Sequence, residues 1–209
     1  MTENTSSSDA AFISSLEGFE LLPHILRLVA RGEPVSLTEL AASANESQAE
    51  VERVLKSQAG TDWDEQGCLL GMGLTLRPTS HRLILAGKTL YAWCATDTLY
   101  VPMMLGEPAV VESMCPATSQ RIRVELEPNA VVSAVPGEAV VSQRHRVELL
   151  ADVRAQTCDH GHFFSSPTAA STWAAEHPEG EVLSVVDAFE RCRVTCEELG
   201  WLAPEVTRR

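Results

Sequence analysis

Hydrophobic and polar positions follow two different periods along this chain. In the first third the period is helical. Apolar residues fall at Phe19, Leu22, Ile25, Leu26 and Val29, which predicts an amphipathic helix over 19–30. Pro23 sits near its start and Gly32 supplies a stop. Ser36 and Glu39 have capping-box spacing and open a short helix. A further helix runs from about Ser47 to Ser57, with Val51, Val54 and Leu55 inward and Asn45 or Ser47 as its cap. Strand-like segments follow at Cys68–Leu76 and His81–Leu85, joined through Arg77-Pro78-Thr79-Ser80. Three helices and a hairpin make a winged-helix shape. Ahead of them, Met1 to about Ser15 is Ser-rich and unpatterned, and is expected to be a flexible tail.

Beyond Leu99 the period shortens to that of strands. Val101-Pro102-Met103-Met104-Leu105-Gly106 reads as a helix end or a loop. Pro108–Ser113, Ile122–Leu126, Ala130–Val135 and Ala139–Ser142 read as short strands, with Arg121, Arg123, Glu125 and Glu127 alternating against apolar neighbours. Val147–Ala155 has a helical pattern, Thr157–Phe164 is a short strand or loop, and Pro167–Glu176 is a helix capped by Ser166. Glu181–Val186 is a strand and Asp187–Leu202 a closing helix. The expected class is α+β: an N-terminal winged-helix-like helical domain, then a mixed, mostly antiparallel sheet domain with flanking helices. The expected divisions are a tail over 1–18, the winged-helix-like domain over 19–88 and the α+β domain over 89–209.

Charge narrows what the winged-helix shape can do. The formal net charge is -13, which opposes broad binding to phosphate backbones or anionic lipid. Residues 21–90 hold seven Lys/Arg against eight Asp/Glu. The second short helix sets Glu50 and Glu52 against Arg53 and Lys56, whereas a DNA reader carries a basic face. A packing module is therefore expected rather than a nucleic-acid reader. No run of 18 apolar residues suggests a membrane span, and the polar, acidic N-terminus argues against secretion. The expected location is the cytoplasm. There the six cysteines, Cys68, Cys94, Cys115, Cys158, Cys192 and Cys196, would be free thiols, metal ligands or catalytic groups. No Gly-rich phosphate loop is present.

Four patterns could carry chemistry. Cys94 and Asp97 stand three apart, so on a helix they share a face. By spacing alone the pair reads as a core thiol and a solvated acid. Cys192 and Cys196 are four apart on the closing helix, but two ligands do not make a structural zinc site. Cys115-Pro116-Ala117-Thr118 resembles half of a zinc knuckle without its other half. His160 and His162 would share a face on a strand and, with Cys158 before them, form a second-rank metal candidate.

Four segments, taken in order, change this balance. Gly73-Leu74-Thr75-Leu76-Arg77-Pro78-Thr79, Tyr91-Ala92-Trp93-Cys94-Ala95-Thr96-Asp97-Thr98-Leu99, Cys115-Pro116-Ala117-Thr118 and Cys158-Asp159-His160-Gly161-His162-Phe163-Phe164 together resemble the alkylmercury lyase family, the organomercurial lyases. The resemblance runs from about Leu21 to Glu198. It implies a winged-helix-like domain followed by a mixed α/β domain. It matches Cys94 and Cys158 to the family's two mercury-binding cysteines and Asp97 to its acidic proton carrier. Cys115 matches a cysteine outside that trio. Where some members carry Cys-Cys before the His-x-His-Phe-Phe run, this chain has Asp159 in the second place.

The residue types suit the implied reaction. Mercury is soft, and thiolate is the soft protein ligand. Two thiolates weaken the carbon–mercury bond, and a carboxyl that took a thiol proton can return it to carbon. Such a carboxyl belongs in a dry pocket, for which Tyr91, Trp93, Phe163 and Phe164 are the expected wall. The implied substrate is an organomercurial, with no resident cofactor. Exogenous small thiols or a mercuric reductase would accept the Hg²⁺. A mercury-binding homologue without lyase activity and a metal-sensing winged-helix regulator are the competing readings.

Overall fold

The capping box at Ser36 and Glu39 forms as the spacing predicts: each side chain accepts from the other residue's backbone N–H. Ser47 caps the next helix through the N–H of Glu50. In a computed structural model describing residues 5–144 and 152–204, these local signals start α3 (Leu37–Ala44) and α4 (Gln48–Ser57), after α1 (Thr5–Ser14), a 3-10 turn at Phe19–Leu21 and α2 (Leu22–Val29). Ile25, Leu26 and Val29 of α2 and Val51, Val54 and Leu55 of α4 are buried together. The charges on α4 pair locally, Arg53 with Glu50 and Glu17, Lys56 with Glu52.

Eleven strands follow or interleave among the described residues. They are β1 (Asp62–Trp63), β2 (Leu69–Met72), β3 (Leu74–Thr75), β4 (His81–Leu85), β5 (Lys88–Ala92), β6 (Ala109–Met114), β7 (Arg121–Glu127), β8 (Ala130–Val135), β9 (Val140–Arg144), β10 (Phe163–Phe164) and β11 (Gly180–Ser184). The helices among them are α5 (Ala95–Leu105), α6 (Val153–Gln156), α7 (Ser171–Glu176) and α8 (Val185–Leu199). The larger sheet is antiparallel with order β1-β2-β3-β5-β4-β6-β7-β8, and the smaller has order β10-β9-β11. In β7 the alternation is as expected: Ile122, Val124 and Leu126 point into the core while Arg121, Arg123, Glu125 and Glu127 lie on the outer face. Leu83, Leu90, Val111 and Val124 of the sheet join Leu99 and Met103 of α5 in one buried cluster. α5 packs on β3, β4, β5 and β7 and is covered by α2, α8 and β9.

The α+β class and the winged-helix shape are both present. A division at 88/89 lies within β5, and the eight-stranded sheet continues across it, from the wing to β8. Three local expectations are corrected, and of the two readings of 101–106 the helix end holds, at Leu105 before Gly106. The N-terminal segment read as a tail is helical over Thr5–Ser14 and packs against α8. Its sequence has little amphipathic pattern, so tertiary contact rather than propensity holds it. The single strand expected over Cys68–Leu76 is a hairpin, because Gly73 adopts φ 74° and reverses the chain between β2 and β3. α5 continues through Pro102 to Leu105, although proline breaks the backbone ladder. Val101, Pro102, Met103 and Met104 are all buried there, and that packing offsets the lost bond. The helix expected over 167–176 is helical only over Ser171–Glu176. Of the helix expected over 147–155, residues 147–151 lie outside the described residues, and α6 spans Val153–Gln156.

Candidate active site

Cys94 stands where strand becomes helix. β5 ends at Ala92, and Cys94 keeps an extended backbone (φ -137°, ψ 170°) as the N-cap of α5. Its Sγ accepts from the Asp97 N–H at 3.3 Å, and the Asp97 carboxylate accepts from the Cys94 N–H at 3.0 Å. This is a capping box with a thiol in the place of the usual hydroxyl. The spacing of three thus brings the two groups together at a helix start, not along a helix face as expected.

Cys158 reaches the same point from 64 residues downstream. It opens a 3-10 turn, Cys158–His160, closed by Gly161 N–H donating to Cys158 C=O at 2.9 Å. Two anchors fix the turn. The Ala95 N–H donates to Gly161 C=O at 3.0 Å, tying it to α5. Ser142 of β9, fully buried, donates to His160 C=O and accepts from the His162 N–H, both at 3.0 Å. Gly161 is required by proximity: a Cβ there would lie 2.9 Å from Cys94 Cβ. Across the site, the Trp93 N–H donates to Gly73 C=O at 2.8 Å, and a Cβ on Gly73 would sit 3.4 Å from an Asp97 oxygen.

Among the described residues, Cys94, Asp97 and Cys158 are the one cluster of three metal-ligating side chains, their ligand atoms within 4.8 Å of one another. Cys94 and Cys158 share a hydrogen bond that sets them apart. It raises the Cys94 thiol well above its ordinary range, and burial and the Asp97 charge push the same way. The same bond lowers Cys158, but burial and the charges of Asp97 and Asp159 outweigh it and leave that thiol raised. Both thiols are therefore held protonated above the ordinary thiol range, one donating to the other. Burial raises the Asp97 carboxyl, against its hydrogen bonds with Cys94 and the charge of Arg154. A carboxyl raised by burial beside two soft ligands keeps a proton to higher pH than a free one and can give it up.

Around this cluster the remaining candidates are dispersed. The Arg154 guanidinium lies 4.9 Å from the centre of the Trp93 ring and donates to Asp62 at 3.0 Å. Buried Asp62 also accepts from Trp93 Nε1 and Thr75 Oγ1. Asp159 is exposed, 3.8 Å from Arg154. His160 and His162 do not share a face: His160 meets the His177 ring, while His162 stacks with buried His81. Cys192 and Cys196 are buried in α8, and Cys115 is buried at the β6–β7 turn beside Thr118 and Ser165.

The dry wall is not the expected one. Trp93 turns toward Asp62, Phe163 and Phe164 are core residues of β10, and Tyr91 lies on β5 opposite Arg82. A cavity of about 120 Å³ beside the trio is lined instead by Phe12, Ile13, Leu16, Phe19, Leu22 and Trp201, with Tyr100 and Val153. Tyr91 and Trp93 adjoin Cys94 in the chain but the strand-to-helix turn carries them away from the cavity, while Phe163 and Phe164, which follow Cys158, are drawn into the core by β10. Phe12 and Ile13, in a segment without helical pattern, gave no signal.

Residues 74–195 match the family described as alkylmercury lyase, and residues 16–73 match the helix-turn-helix domain of alkylmercury lyase. The chain belongs to the alkylmercury lyase family. The alkylmercury lyase of Staphylococcus epidermidis is 45% identical over 166 residues, 79% of this chain and 76% of that one. Those of Bacillus cereus and Streptomyces lividans are 44% and 39% identical, over 81% and 84% of this chain and 78% and 81% of theirs. The crystal structure of the mercury-bound form of MerB2 shares the fold, with a TM-score of 0.74 at 24% identity over 93% of this chain and 98% of that one. This lyase family member carries the family's helix-turn-helix domain, in which Arg31, Arg53 and Lys56 pair with carboxylates of the same domain.

Proposed function

We propose that this alkylmercury lyase family member cleaves carbon–mercury bonds by protonolysis, with Cys94 and Cys158 as mercury ligands and Asp97 as proton carrier. The observation that carries this reading is the meeting of two buried thiols and one raised carboxyl within 4.8 Å. The reaction balances on the chain's own groups. An organomercury thiolate, R–Hg–SR′, enters. Cys158 attacks mercury, and R′S⁻ leaves with that thiol's proton. Cys94 then passes its proton to Asp97 along the hydrogen bond between their side chains as its sulfur bonds mercury. Asp97 delivers this proton to the carbon as the carbon–mercury bond breaks. The products are R–H, R′SH and Hg²⁺ on two sulfurs.

No resident cofactor is needed in this scheme, because both soft ligands and the proton come from side chains. Release of Hg²⁺ requires competing thiolates, supplied by small thiols or by a mercuric reductase with its own cysteines. Six free cysteines suit the reducing cytoplasm, where such thiols are abundant. No helix of the described residues is long and apolar enough to cross a membrane. The winged-helix module packs the site through Leu22 and Gly73 and, with both basic residues of α4 paired to carboxylates, is proposed to bind no nucleic acid.

Incubating the protein with phenylmercury or methylmercury and excess thiol tests this directly. Benzene or methane appears in the headspace of the parent reaction and is lost with Cys158→Ala. Cleavage at the parent rate in that variant would rule out the two-thiol scheme. Mercury retention without hydrocarbon release would make the chain a binding protein instead.

A further inference from the structure

We propose that α1 and the segment after it form the chamber for the organic group of the substrate, and that Phe12 and Ile13 select aromatic groups over methyl. This rests on the lyase reading above and adds the substrate class. The cavity beside the trio is continuous with Cys94, Asp97 and Cys158, so a group on mercury held by both sulfurs extends into it. Its far walls are Phe12, Ile13, Leu16, Phe19, Leu22 and Trp201, all partly buried apolar side chains. An organic group placed against these walls meets hydrocarbon on most sides, with Asp9, Gln143 and Arg144 also reaching the cavity, while the mercury end meets sulfur and carboxylate.

Size decides which organic group gains most. The cavity holds about 120 Å³, and apolar cavities of roughly 150 Å³ accept a benzene ring. A phenyl group fills most of this space. A methyl group leaves the walls without contacts on one side and forgoes their dispersion energy. α1 is held over the cavity by packing against α8 and against the 3-10 turn that carries Phe19. Phe12 and Ile13 precede residue 16, where the match to the helix-turn-helix domain begins, so this wall lies outside the family-matched region.

The test compares kcat/KM for phenylmercury and methylmercury thiolates in the parent, in Phe12→Ala/Ile13→Ala and in Ile13→Trp. Hydrocarbon release by the parent establishes the lyase reading independently of selectivity. Shaving two apolar walls is expected to lower the phenyl-to-methyl ratio about tenfold, the scale of a lost hydrophobic contact in a specificity pocket. Ile13→Trp, which fills the chamber, is expected to lower the ratio as well, through the phenyl substrate. Methylmercury turnover reports that each variant is folded. A ratio unchanged in both variants overturns the proposal. So does a proportional loss for both substrates, which would make α1 a general cover over the site. A parent that releases no hydrocarbon from either substrate overturns the lyase reading and this proposal with it.

Discussion

Gly161→Ala isolates the contact that sets the distance between the two thiols. The backbone at Gly161 has φ -91° and ψ 103°, a conformation any residue adopts, so alanine adds no backbone strain. What it adds is one carbon, 2.9 Å from Cys94 Cβ and 3.5 Å from its Sγ. Carbon pairs rest at about 3.5–4.0 Å, so the Cys158 turn must retreat by roughly 0.5–1 Å. It cannot do so freely. The Ala95 N–H holds Gly161 C=O at 3.0 Å, and Ser142 holds both flanking residues. Overpacking of this kind costs about 1–3 kcal/mol, which lowers the melting temperature by about 2–4 °C per kcal/mol in a chain of this size. Catalysis suffers more, because displacement of a reacting group by about 1 Å costs on the order of 10²-fold. Phenylmercury cleavage is followed by headspace benzene at saturating substrate, with thermal unfolding run alongside. The expected result is a modest loss of stability with a loss of kcat near two orders of magnitude. Parent kcat in a destabilised Gly161→Ala protein would refute the idea that this glycine holds the thiols in register.

Further tests separate structure from chemistry. Cys94→Ser keeps a good N-cap for α5 and should melt close to the parent, yet release no benzene; measurable turnover would show that two soft ligands are not needed. Asp97→Asn should retain mercury but slow single-turnover hydrocarbon release by about 10²–10⁴-fold, and an unchanged rate would remove Asp97 as proton carrier. The hydrogen bond from Cys158, burial and the Asp97 charge raise the Cys94 thiol, and at Cys158 the shared hydrogen bond is outweighed by burial and nearby charge, which raise that thiol too. Hg²⁺ binding therefore displaces two thiol protons and should release between one and two per chain, according to how much of one Asp97 retains. Calorimetry in buffers of different ionisation enthalpy measures this, and release near zero would mean that thiolates are preformed. Buried His81 donates to or accepts from Ser113, and burial, then the charge of His162, lowers its pKa to about 3. The unfolded chain binds this proton below about pH 6.5 and the folded chain does not, so stability falls as pH drops. The loss is about 2 kcal/mol by pH 5 and about 4–5 kcal/mol by pH 3. His81→Gln, which keeps a hydrogen bond without titrating, should flatten that slope in denaturant titrations; parallel pH profiles for the two proteins would assign the acid sensitivity elsewhere.

Half of the site is local, and that half was legible. Cys94 and Asp97 meet because a residue that ends a strand and one three places on close a capping box, a geometry set by the helix backbone itself. The same holds for Ser36 with Glu39 and for the alternation in β7, where side-chain period follows directly from backbone period. Cys158 was matched through a resemblance of motifs; its approach to Cys94 depends on Ser142 and Gly161, contacts across the fold that no local period encodes. The pocket wall was misplaced for the same reason, since Tyr91 and Trp93 diverge from Cys94 where β5 turns into α5, and Phe163 and Phe164 leave Cys158 to pair with β9. α1 was read as a tail because its residues lack helical pattern, and only α8 beside it makes that helix worth forming. The chain by itself thus determined the elements, the family resemblance and one thiol–carboxyl pair. The tertiary structure decided which second thiol joins them, how dry the carboxyl is and what lines the cavity beside them, because those depend on surfaces that meet only after the chain has folded.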